Sequence, residues 1–183
     1  MPTLSDARSV RSQQALRQSL LDLLEEMPFD RISLRDIASR AGVSYPTFYR
    51  HFATKEDLLA DIARQEAQGF MEQSGDAGPV VDRPGERICA FIAGRRPLWR
   101  RLLSDSAIAI MREEFIRQGQ EVAARGPRLN PRFPAAITSR VFASGLFEII
   151  AWWFQQPDDF PQGEIADMLE SLVIYPVINR QRS

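Results

Sequence analysis

The chain has 183 residues, 44% of them hydrophobic and 26% charged, with a net charge of −1, proportions of an ordinary globular protein that exclude a disordered class. One cysteine, Cys89, excludes an internal disulfide and a cysteine-cluster metal site, and one histidine, His51, leaves no histidine-based triad or zinc site to assemble. The longest apolar run, near Leu146–Phe154, is broken by Glu148 and falls far short of the roughly 20 residues a bilayer demands; the polar opening MPTLSDARSVRSQQ lacks a signal-peptide apolar region, so the expected location is the cytosol.

A first helix is expected from about Ser9 to Met27, where Ala15, Leu16, Leu20, Leu23, Leu24 and Met27 form one apolar stripe; Phe29 and Ile32 then close a small core. Arg8 and Arg11 at its front form either a flexible arm for a minor groove or a solvated tail. With Arg17, Arg50 and Lys55 they make a cationic side, while Asp22, Glu25, Glu26 and Asp30 gather at the far end. Such segregation lets a nearly neutral chain present a basic face.

Ser33–Lys55, SLRDIASRAGVSYPTFYRHFATK, spells two short helices around a glycine turn. Ser33 and Asp36 have capping-box spacing, and Leu34, Ile37, Ala38 and Ala41 repeat on one face. Gly42 follows where the chain leaves the helix through a left-handed conformation, and Val43 plugs the gap between the two helices. Ser44 is placed to cap the second helix, and Pro46 fits only in a first turn. At 100° per residue, Phe48 and Phe52 face a core, Pro46, Thr47 and Arg50 face away, and Tyr45, Tyr49 and His51 flank them. The outward set suits a major groove: methyl and ring contacts to thymine, Arg50 to guanine or phosphate, tyrosine hydroxyls to phosphates. Thr54 and Asp57 repeat the capping-box spacing, which sets Lys55 at the positive end of the next helix, ready for a backbone phosphate. The coincidence of cap, glycine, cap, first-turn proline and outward polar set favours DNA reading over a plain helical hairpin.

From about Val10 to Ile62 the chain resembles the DNA-binding domain of the TetR/AcrR transcriptional regulators, carried by the helix pair, the Gly42-Val43-Ser44 turn and the run Thr47-Phe48-Tyr49-Arg50-His51-Phe52 followed by Lys55-Glu56 and Leu58. The resemblance implies a phosphate contact at Ser33, groove positions at Ser44, Tyr45, Pro46, Thr47 and Tyr49, and backbone grips at His51 and Lys55. It covers only the first third of the chain.

A linker is expected at Ser74–Pro79, SGDAGP, then helices over Pro84–Gly94, Pro97–Ser104, Ser106–Arg125, Pro134–Gln156 and Gln162–Arg180. No period-two strand pattern interrupts them, so the expected class is all-α: a three-helix DNA-binding domain over residues 1–60 and a helical effector-binding and dimerisation domain over 61–183. Cys89, among Ile88, Ala90, Phe91 and Ile92, reads as core filler rather than redox sensor. Two readings compete for the large side chains of this half. One is a helical core plus a dimer face; the other has Phe91, Trp99, Met111, Phe115 and Trp152 walling an apolar cavity, with Arg140 and Glu148 as polar hooks. Arg140 and Glu148 could equally reach solvent or pair across an interface.

The resemblance further implies an inducer-binding domain whose last two helices build a four-helix dimer bundle. Ser144 and Gly145 allow close approach, and Leu146, Ile149, Ile150, Trp153, Leu169, Leu172, Val173 and Val177 supply apolar faces. The expected protein is a dimeric repressor of a pseudo-palindromic operator, released by a small, largely apolar effector that moves the helix from Thr54; the alternative is a DNA-binding dimer without an effector. No catalytic residue, metal or cofactor is expected: Glu113 and Glu114 are adjacent on a helix and diverge, which reads as a solvated face.

Overall fold

A computed structural model of the chain describes residues 4–73, 83–103, 106–125, 130 and 132–177. The described elements are helical throughout, in agreement with the expected class: α1 (Leu4–Glu26), a 3-10 turn (Phe29–Arg31), α2 (Leu34–Arg40), α3 (Tyr45–His51), α4 (Lys55–Gln73), α5 (Pro84–Ala93), α6 (Arg96–Leu102), α7 (Ala107–Arg125), α8 (Ala135–Trp153) and α9 (Gln162–Met168). A π-helical stretch (Leu169–Ile174) and a last turn (Tyr175–Val177) continue α9. The linker expected at Ser74–Pro79 and the end of the last helix beyond Val177 lie outside the described residues.

Four observations place the first domain. Leu16, Leu20, Leu23 and Leu24 bury one stripe of α1 against Phe29, Ile32, Ile37, Phe48, Leu58 and Leu59. The Ser19 hydroxyl, also buried, donates to the Ile37 carbonyl at 2.8 Å and pins α1 to α2. Arg40 grips Glu26 through two hydrogen bonds of 2.7 and 2.8 Å, tying the end of α2 to the end of α1. Gly42 takes φ +63°, the left-handed conformation the turn between α2 and α3 requires. Arg8 and Arg11 form no arm; α1 begins at Leu4 and carries both, with Arg11 Nε donating back to the Ala7 carbonyl at 3.2 Å.

α4 runs without interruption through residue 60, so the two expected domains share one helix. It packs along α7, and α7 along α8. Their common interior is aromatic: Trp99, Phe70, Phe115 and Phe147 are buried, with Phe115 at 5.7 Å from Trp99 and 5.1 Å from Phe147, centroid to centroid. α8 is long and apolar enough to cross a membrane by length and composition alone. Here one side of it, including Ala143, Leu146, Phe147 and Ile150, is buried in the core, while Arg140 and Glu148 are exposed.

Gly145 explains how the last helix seats. A Cβ there would stand 2.8 Å from Val173 Cγ2, so the close approach is made within the chain. Next to Val173, Glu170 turns inward and accepts from the Gly85 amide at 3.0 Å and the Tyr175 hydroxyl at 2.9 Å, in the stretch where the helix widens to π geometry.

Because nothing lies within 4 Å of a Cβ at Gly42, the cost of Gly42→Ala is purely conformational. We expect a loss of about 1 kcal/mol, read in thermal denaturation as a Tm lowered by roughly 2–4 °C.

Candidate nucleic-acid interface

α2 begins with a complete capping box. The Asp36 amide donates to Ser33 Oγ at 3.2 Å, and the Ser33 amide and hydroxyl both donate to Asp36 Oδ2, at 2.9 and 2.6 Å. These bonds hold the Asp36 carboxyl below its ordinary range. They also commit the single hydroxyl proton of Ser33, so a phosphate contacting this hydroxyl must take the place of the Asp36 carboxylate.

α3 has the expected two-sided character. Phe48 is fully buried and Phe52 is 7% exposed, whereas Tyr45 is 45% and Tyr49 56% exposed. Pro46 and Arg50 are exposed as well, and Thr47 is half-buried. Ser44 occupies the cap position, but its hydroxyl bonds to Thr47 Oγ1 at 2.9 Å and not to a backbone amide. Helix start and outward polar set are thus linked through their side chains.

His51 is half-buried and joins α3 to α1. Its Nε2 lies 2.7 Å from Ser12 Oγ, and that hydroxyl is also 2.9 Å from the Ser9 carbonyl. The direction of the Ser12–His51 bond follows the imidazole tautomer. Burial first, then the charges of Arg50 and Arg17, push the imidazole below its ordinary value of 6.5. Arg17 itself pairs with Asp61 at 2.5 Å, fastening α1 to α4.

Lys55 departs from expectation. Its Nζ lies 2.9 Å from the Phe29 carbonyl, 2.9 Å from that of Ile32 and 3.5 Å from that of Asp30, with the Phe29 ring centroid 4.6 Å away. The ammonium is turned toward the protein. The expected cap is nevertheless in place, with the Asp57 amide donating to Thr54 Oγ1 and the Thr54 amide to Asp57 Oδ2, both at 3.0 Å.

The residues expected to wall an effector cavity do not gather around one opening. Trp99, Met111 and Phe115 are fully or almost fully buried in the core, and the Trp99 indole N–H donates to Glu66 Oε2 at 3.1 Å. Phe91 is half-buried under the Arg95 guanidinium, 4.4 Å from its ring centroid. Trp152 lies edge-on to Phe160, and exposed Glu148 faces Arg112 at 3.7 Å. Arg140 lines a separate cavity of about 400 Å³ whose wall joins apolar Ala60, Ile110 and Ile116 to charged Glu56, Asp57, Glu113, Glu114 and Arg117. Burial raises the Glu66 carboxyl and pushes the Cys89 thiol up to about 12, in keeping with a cysteine that fills core.

Glu113 and Glu114 do not form one solvated face. Glu114 is 7% exposed, bonded to Arg117 and within 3.3 Å of both Arg64 and Gln118, while Glu113 stays exposed. Arg117 lies at i+3 on the same helix, but a spacing argument on one helix could not foresee Arg64, which α4 brings to this position.

Of the positions expected in a dimer face, Leu146, Ile150, Trp153, Leu169, Val173 and Val177 are buried within the chain, and Ser144, Gly145 and Ile149 are half-buried. Leu172 is 68% exposed. The sequence reading did not single out Ile137 and Val141, exposed by 50 and 53%; Phe133 is 55% exposed. Counting apolar residues along α8 does not tell its covered side from its open one.

Residues 18–62 match the family described as "Bacterial regulatory proteins, tetR family". The chain is 40% identical over 68 residues to the uncharacterized HTH-type transcriptional regulator YxbF of Bacillus subtilis, covering 37% of this chain and 18% of that protein. It is 29% identical over 116 residues to an uncharacterized HTH-type transcriptional regulator of Haemophilus influenzae, covering 57% and 56%. The chain thus spans between just under a fifth and just over half of the length of these curated relatives. Its fold is that of NalD from Pseudomonas aeruginosa, described as the secondary repressor of the MexAB-OprM multidrug efflux pump, with TM-score 0.59 and 20% identity over 96% of this chain and all of that one. The matching family and relatives are regulators, not enzymes.

The depressed imidazole ties stability to pH. The unfolded chain binds a proton at His51 near pH 6.5 and the folded chain only lower, so stability is full above 6.5 and is lost as pH falls toward the folded value. Urea denaturation at pH 7.5 and 5.5 is expected to show a drop at the lower pH that His51→Gln reduces.

Proposed function

We propose that this chain, which belongs through residues 18–62 to the tetR family of bacterial regulatory proteins, is a DNA-binding transcriptional regulator of the cytoplasm that works as a symmetric dimer and represses from a pseudo-palindromic operator. The observation that carries this reading is the division of α3. Phe48 and Phe52 are sunk in the core, while Tyr45, Pro46, Tyr49 and Arg50 stand in solvent on a helix of seven residues. An exposed mixed aromatic and cationic set on a short helix, rigidly seated, is what major-groove reading requires. Ser33, Ser44, Thr47 and His51 complete the proposed contact set.

A dimer supplies two such helices about one helical turn of DNA apart. Leu172 on the last helix and Ile137, Val141 and Trp152 on α8 offer the apolar area for it. The Ser144, Gly145 and Ile149 positions border these side chains along α8.

Release by a small, largely apolar effector is the second part of the proposal. A ligand seated among Trp99, Met111 and Phe115 has to open that cluster, and any ligand acts on DNA only through its differential affinity for two arrangements of α4. The reading without an effector is favoured by one observation: these side chains already fill the interior, and the Trp99 N–H is satisfied there. Thermal denaturation with a panel of apolar compounds separates the two, because a ligand of the folded state raises Tm with concentration.

For the DNA reading, gel-shift binding to the DNA flanking the protein's own gene is the direct test, extended to selection from random duplexes. Tyr49→Ala is expected to weaken specific binding by tenfold or more while leaving Tm nearly unchanged, since its side chain is 56% exposed. Binding to a single dominant site that Tyr49→Ala leaves intact overturns the assignment of α3. For the dimer, Leu172→Asp is expected to halve the mass seen by light scattering and to abolish cooperative occupation of the two half-sites.

A further inference from the structure

We infer that Lys55 is a positioning residue for DNA binding: its ammonium, held by three carbonyls of the turn between α1 and α2, sets the start of α2 at the DNA face and meets there the hold that the C-terminal half exerts on the same turn. The inference deepens the DNA-binding reading and rests on it.

An ammonium has three protons and no acceptor. In Lys55 all three have a nearby carbonyl, those of Phe29, Asp30 and Ile32, above the ring of Phe29. Three carbonyl dipoles converging on one half-buried point are mutually unfavourable unless a cation sits among them. The Ile32 carbonyl belongs to the peptide unit that leads into Ser33, the cap of α2. The ammonium therefore sets where the first turn of α2 lies relative to α4.

The same turn is held from its other side by the Ser106 hydroxyl, just before α7, which donates to Asp30 Oδ1 at 2.6 Å; Arg101 Nη2 at the end of α6 donates to the Glu25 carbonyl in the last turn of α1 at 2.8 Å. Lys55, as the first residue of α4, and Ser106, ahead of α7, thus meet at one short segment. A shift between α4 and α7 reaches α2 through it.

A phosphate grip and a positioning role differ in salt dependence, because each lost phosphate contact reduces the slope of log K against log salt by about 0.9. The test uses the full chain and an operator duplex recovered by selection from random DNA, measured over a salt series with Lys55→Met, Lys55→Arg and Ser33→Ala. Lys55→Met is expected to bind about tenfold more weakly with an unchanged slope, and to cost much less in the Ser33→Ala background. Lys55→Arg keeps the charge, and with it the fold, but its planar fork cannot take the three convergent carbonyls; it is expected to weaken binding with the slope intact and to speed hydrogen exchange in the first turn of α2. A slope lowered by about 0.9 in Lys55→Met, or full affinity in Lys55→Arg with unchanged exchange, overturns the inference in favour of a phosphate grip. Should Lys55→Met not fold, Lys55→Arg decides alone. A wild-type chain that selects no duplex sinks the DNA reading itself, a result distinct from any failure of the Lys55 variants.

Discussion

The burial of Phe48 and Phe52 beneath α1 is the interaction on which the rest of the amino-terminal domain depends. α3 has seven residues, too few to hold helical form in water by its own hydrogen bonds. What fixes it is tertiary: two rings sunk among Leu16, Leu20, Ile37 and Leu58. Once they are seated, the opposite face has no freedom left, and Tyr45, Tyr49 and Arg50 stand outward as a consequence. His51 to Ser12 and Arg17 to Asp61 then fasten the unit to α1 and α1 to α4.

The C-terminal half depends on the aromatic cluster around Trp99 in a comparable way, with different consequences. Trp99, Phe115 and Phe147 meet at edges and tilts that fill space between α4, α6, α7 and α8, and the indole N–H is satisfied by Glu66 at the cost of burying a carboxylate. Glu66 keeps its partner Arg95 only at 3.7 Å, so burial dominates and raises its proton affinity. Glu114 resolves the same problem differently, with Arg117 and Arg64 both at hand, and is held in its charged form. Two acids on neighbouring helices thus take opposite shifts: at Glu66 burial outweighs Arg95 and the indole, whereas at Glu114 the hydrogen bonds and charges of Arg117, Gln118 and Arg64 together outweigh it.

Much of the amino-terminal domain was legible because its signals are local. Ser33 with Asp36, Thr54 with Asp57 and Gly42 each act on backbone groups within a few residues, and each was found in the expected role. Where a role depends on distant chain, spacing misled. Lys55 at a helix start suggested phosphate, yet carbonyls more than twenty residues earlier take the ammonium. Glu114 next to Glu113 suggested solvent, yet α4 supplies Arg64. Arg8 and Arg11 left an arm and a solvated tail open because nothing local distinguishes a polar tail from a polar first turn.

By itself, the sequence determined an all-helical chain, the helix pair with its turn, and which face of α3 is apolar, since periodicity and capping are properties of short segments. Only the tertiary structure decided which apolar residues are core and which remain outside, as with Leu169 and Val173 buried but Leu172, Ile137 and Val141 exposed. It likewise decided that Gly145 serves the packing of α8 on its own chain's last helix. The reason is physical: burial and charge pairing depend on what arrives from elsewhere in the fold, and a one-dimensional pattern carries the periodicity of a helix without naming its neighbour.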